Sequence, residues 1–135
     1  MDDIIKENDI IKKNIRKLQK KIYNLEVNLI DNEKKLADFK DMEILETMEL
    51  NDQQQAIVES TNKNILVVAC PGSGKTHTLI SRYIYLVLKE NIDPDNIILI
   101  TFTNKAGKEM NERISKYLPT KKPYYVGSLH GLSYR

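Results

Sequence analysis

The sequence predicts an α/β fold in which an incomplete parallel sheet follows a long N-terminal α-helix able to form a coiled coil. Three observations support this fold class. Up to Phe39 there is no proline or glycine, and the apolar residues recur in heptads. After Ile44, short apolar runs alternate with helical patterns, as in parallel sheets with crossover helices. A glycine-rich turn at residues 69–76 joins one apolar run to the next helix.

The N-terminal segment, residues 1–47, is predicted to be a helical extension with a coiled-coil seam over 4–39. One seam position holds Ile4, Ile11, Leu18, Leu25, Asn32 and Phe39, and the other holds Asn8, Ile15, Ile22, Leu29 and Leu36. The spacing between the two sets alternates between three and four residues, which is the a/d pattern with the second set at a. Asparagines in such a seam lower stability but fix register or oligomeric state.

The charges beside this seam leave its partner open. In a parallel homodimer Lys21 would face Glu26 of the second copy and attract it, whereas Lys35 would face Lys40 and repel it. A helix that folds back near residues 31–33 and a helix that docks on another protein are equally compatible with the pattern. A single amphipathic helix packed on its own domain is the remaining alternative.

Residues 48–135 are predicted to form the sheet-containing domain. Asn51 caps a helix from Asp52 to about Thr61, with Gln54 completing a capping box. The further elements are a strand at 64–68, a helix at 76–89, a turn at 91–96, a strand at 97–102, a helix at 104–118 and a strand at 125–129. The predicted buried faces comprise Leu79, Ile80, Tyr83 and Val87 on one helix and Ala106, Met110, Ile114 and Tyr117 on the other.

The glycine-rich turn has the layout of a nucleotide-phosphate cradle. It consists of Ala69, Cys70, Pro71, Gly72, Ser73, Gly74, Lys75 and Thr76. Backbone N–H groups of such a turn and the positive end of the following helix attract phosphate. Lys75 is suited to the β- and γ-phosphates, and the Thr76 hydroxyl to Mg²⁺. The turn by itself therefore predicts binding of a nucleoside triphosphate with Mg²⁺, against the alternative of a chance Gly/Ser turn.

Composition bounds the setting of the chain. Its 135 residues are 41% hydrophobic and 30% charged, and the net charge of +2 is too small to indicate nucleic acid by itself. One cysteine excludes an internal disulfide and fits a reducing, intracellular location in cytoplasm or nucleus. Neither a membrane-spanning run nor a signal-peptide layout is present, so no membrane partner is expected.

Four segments, in this order, resemble the opening of a superfamily 1 DNA helicase of the UvrD/Rep type. Leu50-Asn-Asp-Gln-Gln54 is similar to the Q-motif, and residues 69–76 are similar to the Walker A loop. Thr101-Phe-Thr-Asn-Lys-Ala106 resembles motif Ia, and Val126-Gly-Ser-Leu-His-Gly131 resembles motif Ib. The resemblance covers residues 49–135 and implies a P-loop, RecA-like sheet.

The resemblance also implies roles for individual residues. Gln54 would read adenine, beyond its capping role, and His77 stands near the nucleotide, where the family commonly has arginine. Single-stranded DNA, with RNA not excluded, would be contacted by Thr101, Phe102, Thr103, Asn104, Lys105, Ser128 and His130. Outside this context Phe102 would be assigned to the core, and His130 to a structural role.

In the family, the Walker B motif and a second RecA-like domain lie further along the sequence. The resemblance therefore implies a truncated or split ATP-dependent helicase, an ATP hydrolase that binds ATP and single-stranded DNA but is not expected to hydrolyse ATP robustly as this chain alone. The alternative is a non-catalytic coiled-coil interaction protein with a remnant P-loop. A third possibility resembles helicase-like RNA polymerase-binding factors, which also carry N-terminal coiled coils.

Overall fold

The computed structural model describes residues 2–134, with residues 2–9 described as helical backbone only. The side chains of Ile4 and Asn8, two of the predicted seam positions, and residue Arg135 lie outside this description. Between Lys40 and Asp41 the chain divides into two compact units. Nothing in the described residues forms a helix both long and apolar enough to cross a bilayer.

The first unit is the greater part of helix α1, which runs without interruption from Asp2 to Glu46. The helix passes straight through residues 31–33, so the fold-back considered there is wrong. The seam residues that are described are about half exposed, from 48% at Ile11 to 66% at Phe39. The prediction of a long helix is confirmed, while its pairing into a coiled coil stays a prediction.

The second unit is built from the last six residues of α1 and the following elements. These are α2 (Asp52–Val58), α3 (Lys75–Leu88), a 3₁₀ turn (Pro94–Asn96), β1 (Ile98–Thr101), α4 (Asn104–Tyr117), β2 (Tyr125–Ser128) and α5 (Leu129–Ser133). The strands β1 and β2 pair in parallel, from Ile98 opposite Tyr125 to Thr101 opposite Ser128. Helix α4 makes the crossover between them, as the alternating pattern predicts.

The core of this unit lies between α3, α4 and the inner face of the sheet. Its buried members are Met48, Ile80, Tyr83, Ile84, Val87, Leu88, Leu99, Met110, Ile114 and Leu118. The predicted faces of α3 and α4 are largely confirmed, but Leu79 is 39% exposed and Ala106 is exposed. On α4 the buried position next to Ala106 is Gly107, because the helix backbone itself lies against β2.

Tyr83 is the polar anchor of this core. Its side chain is buried, and its hydroxyl donates to the Lys121 carbonyl at 3.0 Å. Burial, and secondarily the Asp95 carboxylate, raise the pKa of Tyr83 to about 12 from the usual 10. The unfolded chain therefore loses this proton first, and stability present below pH 10 is lost as the pH rises toward 12.

The strand predicted at 64–68 is the principal error of the sequence-based fold. Residues 65–70 have no regular secondary structure and pair with no strand in the described part of the chain. Exposure alternates along the segment, from 38% at Ile65 to 90% at Leu66 and from 42% at Val67 to 90% at Val68. The period-two pattern is thus real, but a strand also requires a neighbouring ladder of N–H and C=O groups. The observed sheet accordingly has two strands rather than three.

Candidate functional site

The glycine-rich turn bends sharply between residue 69 and the start of α3. Ser73 N donates to Cys70 O at 3.2 Å, and both Gly72 and Gly74 have positive φ angles, +80° and +81°. A Cβ atom on Gly74 would lie 2.8 Å from Gln54 Nε2, whereas one on Gly72 would meet nothing within 4 Å. Gly74 is therefore required by its backbone conformation, and a side chain there would also displace the Gln54 amide.

Helix α3 begins without a side-chain cap, because its N-cap residue is Gly74. The backbone N–H groups of Lys75, Thr76 and His77 consequently donate to no group in the described chain. Fourteen residues of aligned peptide dipoles end at this point. An uncapped helix start of this kind favours an anion, and phosphate in particular.

The Lys75 ammonium group lies over the turn that precedes it. Nζ donates to Cys70 O at 2.6 Å and to Ala69 O at 3.2 Å. A lysine has three donor hydrogens, so a further acceptor can be accommodated. The next residue, Thr76, is exposed, and its hydroxyl forms no hydrogen bond within the described residues. A free hydroxyl oxygen there fits the ligand preference of Mg²⁺.

Gln54 connects helix α2 to the turn. Its backbone N–H donates to Asn51 Oδ1 at 2.9 Å, and its Oε1 accepts from Asn51 N at 3.1 Å, which confirms the predicted capping box. Its Nε2 donates to Ser73 O at 3.2 Å. The capping role and the contact with the glycine-rich turn are therefore made by the same side chain at once.

Between α2, α3 and residues 62–69 lies an open cleft of about 680 Å³, a size common for cofactor sites. Its walls combine amide, cationic and apolar side chains. They are Asn51, Gln53, Gln54, Ile57, Asn62, Lys63, Ile65, Val67, Val68, Ala69, Ser73, Lys75, Thr78, Leu79 and Arg82. The cleft brings together four predicted site residues, Gln54, Ala69, Ser73 and Lys75, and no carboxylate lines it.

Other predicted nucleotide contacts lie outside this lining. His77 Nε2 is 3.3 Å from Glu49 O, so its ring contacts the segment before α2. Cys70, the single free thiol of the described chain, is exposed on the turn. No group of three His, Cys, Asp or Glu side chains able to hold a metal occurs among residues that the structure describes.

Arg82 is a structural anchor of the cleft that the sequence did not reveal. Its Nη1 donates to Ile57 O at 2.8 Å and to Val58 O at 2.9 Å, while Nη2 donates to Ser60 O at 3.0 Å. These carbonyls lie at the C-terminal end of α2, where a cation compensates the helix dipole. The only signal was a cation beside the apolar face of α3, which does not reveal its partner.

A second cluster forms where β1 and β2 end side by side. Thr101 lies opposite Ser128 in the sheet. Ser128 Oγ donates to Asn104 Oδ1 at 2.6 Å and accepts from Gly131 N at 3.1 Å, which caps α5. These bonds connect the segments that resemble motifs Ia and Ib.

The two threonines of this cluster have local partners. Thr101 Oγ1 donates to Thr103 O at 2.8 Å, and Thr103 Oγ1 accepts from Ala106 N at 3.1 Å, capping α4. Their hydroxyls therefore shape the strand-to-helix junction.

The remaining predicted nucleic-acid residues face solvent. Phe102 is 99% exposed, so its ring takes no part in the core and is open to a partner, as the predicted contact requires. Lys105 is exposed at the first turn of α4. His130 is exposed, and its ring meets the edge of Tyr134 with centroids 4.9 Å apart and planes at 74°. The cluster thus offers an exposed aromatic ring, an ammonium group and an imidazole beside a hydrogen-bonded junction of β1, β2 and α4.

Comparison with known proteins agrees with this arrangement. Residues 50–135 match the family model described as the UvrD/REP helicase N-terminal domain. The chain is 44% identical over 87 residues to DNA helicase II of Escherichia coli, covering 64% of this chain and 12% of that protein. It is 46% identical over 87 residues to the ATP-dependent DNA helicase Rep of Buchnera aphidicola, covering 63% and 14%.

A third relative is the ATP-dependent DNA helicase PcrA of Bacillus subtilis, at 40% identity over 87 residues, covering 64% and 12%. The chain therefore spans only 12 to 14% of the length of these relatives. The family model nevertheless matches well over half of the chain, including both clusters. The chain belongs to the UvrD/Rep helicase family, whose N-terminal domain it matches over residues 50–135.

Proposed function

We propose that this chain is the ATP- and single-strand-contacting N-terminal part of an ATP-dependent DNA helicase. The observation that carries the proposal is the joining of three elements at one cleft. Gln54 on α2 is hydrogen-bonded to the glycine-rich turn, Lys75 folds over that turn, and α3 begins beside it without a cap. The relatives named as ATP-dependent DNA helicases support the same activity.

In the proposed nucleotide complex the triphosphate lies against the uncapped start of α3. The free N–H groups of residues 75–77 donate to phosphate oxygens, and the Lys75 ammonium exchanges a carbonyl partner for a phosphate oxygen. Charge-assisted bonds to phosphate are stronger than those to neutral carbonyls, so this exchange is favourable. The Thr76 hydroxyl would hold Mg²⁺, which neutralises charge on the β- and γ-phosphates when bound.

The proposed adenine contact uses the unused capacity of the Gln54 amide. Its Oε1 already accepts one hydrogen bond and its Nε2 donates one, which leaves one donor and one acceptor site free. That pair matches the N6/N7 edge of adenine. Because the same amide is anchored to Asn51 and Ser73, it is pre-organised for this task, and base recognition is tied to the position of the phosphate turn.

Single-stranded DNA is proposed to cross the ends of β1 and β2. Phe102 supplies a face on which a base can stack, while Lys105 and His130 supply donors for the sugar-phosphate backbone. The hydrogen bond from Ser128 Oγ to Asn104 Oδ1 joins the two segments that carry these groups. Stacking is tolerant of sugar type, so RNA remains a second candidate substrate. An intracellular site of action, where single strands occur, follows from this proposal.

The chain alone is expected to bind ATP without rapid turnover. The cleft lining contributes cations and amides but no carboxylate that could position Mg²⁺ and the attacking water. In a complete enzyme, ATP binding would close two domains on the DNA strand, and ATP hydrolysis would reopen them. The carboxylates that position Mg²⁺ and water, and the movement along DNA, would come from the rest of a protein as long as the relatives.

Equilibrium titration with a fluorescent ATP analogue and Mg²⁺ tests the proposal. Saturable binding is expected for the folded chain, and Lys75→Ala should weaken it at least about tenfold, because a charge-assisted phosphate contact is lost. Lys89→Ala is the matched control, since Lys89 lies at the opposite end of α3 and should leave affinity unchanged. A well-folded chain that shows no saturable binding would contradict the proposal.

The second candidate, a non-catalytic interaction protein, is favoured by the exposed apolar stripe of α1. Under that alternative nucleotide would bind weakly or not at all, and capture of a protein partner by the full chain would survive Lys75→Ala. Measuring nucleotide binding and partner capture for the wild-type chain and for Lys75→Ala therefore separates the two functions.

A further inference from the structure

Helix α1 has an exposed apolar stripe whose role is independent of the proposed helicase activity. The residues at the described a and d positions are Ile11, Ile15, Leu18, Ile22, Leu25, Leu29, Asn32, Leu36 and Phe39. The eight apolar side chains among them are each about half exposed. Most helices in proteins are stabilised by packing of their apolar face, so a stripe of this length calls for a partner surface.

We propose that α1 pairs with α1 of a second copy of this chain as a parallel, two-stranded coiled coil. The choice of two strands rests on side-chain shape in the middle of the seam. The β-branched residues Ile15 and Ile22 occupy a positions, and Leu18 and Leu25 occupy d positions. In parallel coiled coils, β-branched a residues with leucine at d favour dimers over higher oligomers.

A polar layer sets the register of this dimer. Asn32 stands at a d position, and in a parallel pair with matched ends it meets Asn32 of the second copy. Two amides in one layer can hydrogen-bond to each other, whereas any shifted register leaves an amide against an apolar side chain. Among parallel pairings the asparagine therefore selects the matched register, at some cost in stability.

Charge complementarity between the two helices also supports a second copy of α1 as the partner. Lys21 at g faces Glu26 at e of the second copy, and two-fold symmetry repeats this attraction. The apparent conflict lies at Lys35, which would face Lys40. In the structure Lys35 Nζ is paired with Asp31 Oδ2 of its own helix at 2.6 Å. This local ion pair offsets the Lys35 charge, so the repulsion that the sequence suggested is reduced.

A charge-swap cycle on the full chain, read by sedimentation equilibrium, tests the pairing. Glu26→Lys should weaken dimerisation about tenfold, since two attractions become two repulsions. Adding Lys21→Glu should restore it. Positions 21 and 26 are five apart and do not face each other within one helix, and no charge stands three or four residues from Glu26. Rescue is therefore expected only across two chains, and its absence overturns the proposal.

Disulfide trapping tests the orientation. In a Cys70→Ser background, Asn32→Cys should form a disulfide-linked dimer under mild oxidation, because the two positions share a layer. In an antiparallel pairing centred on this stripe they would be about 20 Å apart or more. Lys34→Cys, on the outer face, is the matched control and should cross-link poorly. A monomeric wild-type chain at micromolar concentration, or equal cross-linking of the two variants, overturns the proposal.

Discussion

The exposure of Phe102 distinguishes a role in binding from a role in the hydrophobic core. A phenylalanine at a strand end usually contributes to the core, where its removal costs several kcal/mol. Here the ring is 99% exposed and follows β1 directly. A bare aromatic ring costs some solvation free energy, which the fold alone does not explain. A stacking contact with a base would account for it.

Phe102→Ala should therefore weaken binding of single-stranded DNA without changing stability. The expected loss is about 1–3 kcal/mol of binding free energy, the usual worth of one base stacked on an aromatic ring. Fluorescence anisotropy with a labelled oligonucleotide measures it, alongside urea unfolding of the same variant. Phe102→Tyr retains the ring and should bind as the wild-type chain does. Equal affinity of the alanine variant would remove Phe102 from the proposed interface.

At the level of elements, the relation of α2 to α3 decides whether the cleft exists. Helix α2 has only seven residues, too few to be stable from its own hydrogen bonds. Its start is fixed by the capping box, and its end by the guanidinium of Arg82. The short helix is thus held at both ends, by the capping box and by Arg82. These contacts also fix the position of Gln54.

Arg82→Ala should consequently destabilise this unit by about 1.5–3 kcal/mol, the range for hydrogen bonds to a charged group. It should also weaken nucleotide binding, because α2 carries Gln54. Urea unfolding and the fluorescent ATP titration measure the two effects. Arg113→Ala is the matched control, since that guanidinium makes only an exposed ion pair with Glu109 at 2.6 Å, worth about 0.3–0.5 kcal/mol. Similar losses for both variants would contradict the anchoring role.

Some of the helices and strands could be predicted from the sequence alone, and others could not. Helices α1, α3 and α4 were predicted to within a few residues, because caps and apolar periodicity are local. The segment at 64–68 has the composition and alternation of a strand, but strand formation depends on a distant ladder that no local pattern encodes. Helix α5 was missed because its five residues depend on the Ser128 cap, which local periodicity does not reveal.

The candidate site could likewise be predicted only in its local features. The glycine-rich turn, the capping box and Lys75 follow from residue types at fixed spacing. The contact of Gln54 with Ser73 joins residues 19 apart, and that of Arg82 with Ile57 joins residues 25 apart. Such contacts depend on packing of one helix against another, so they become visible only in the structure.

At the scale of the whole molecule, stability is distributed unevenly along the chain. In the second unit, Ile84 on α3 and Ile114 on α4 are fully buried in the core. Residues 65–69 lie outside any helix or strand, with two apolar side chains 90% exposed. The segment leading into the proposed phosphate turn is therefore the least supported part of that unit, and the turn depends on Lys75 and Gln54 for its shape.

Amide hydrogen exchange should report this contrast directly. Amides at positions 65–69 are expected to exchange close to the unprotected rate, while those around Ile84 and Ile114 exchange only on unfolding of the unit. ATP with Mg²⁺ should slow exchange at residues 75–77, because their free N–H groups would then donate to phosphate. Lys75→Ala should abolish that slowing and leave the core pattern unchanged. Strong protection at 65–69 in the chain alone would instead require a ladder partner for this segment, and the three-stranded sheet would have to be reinstated.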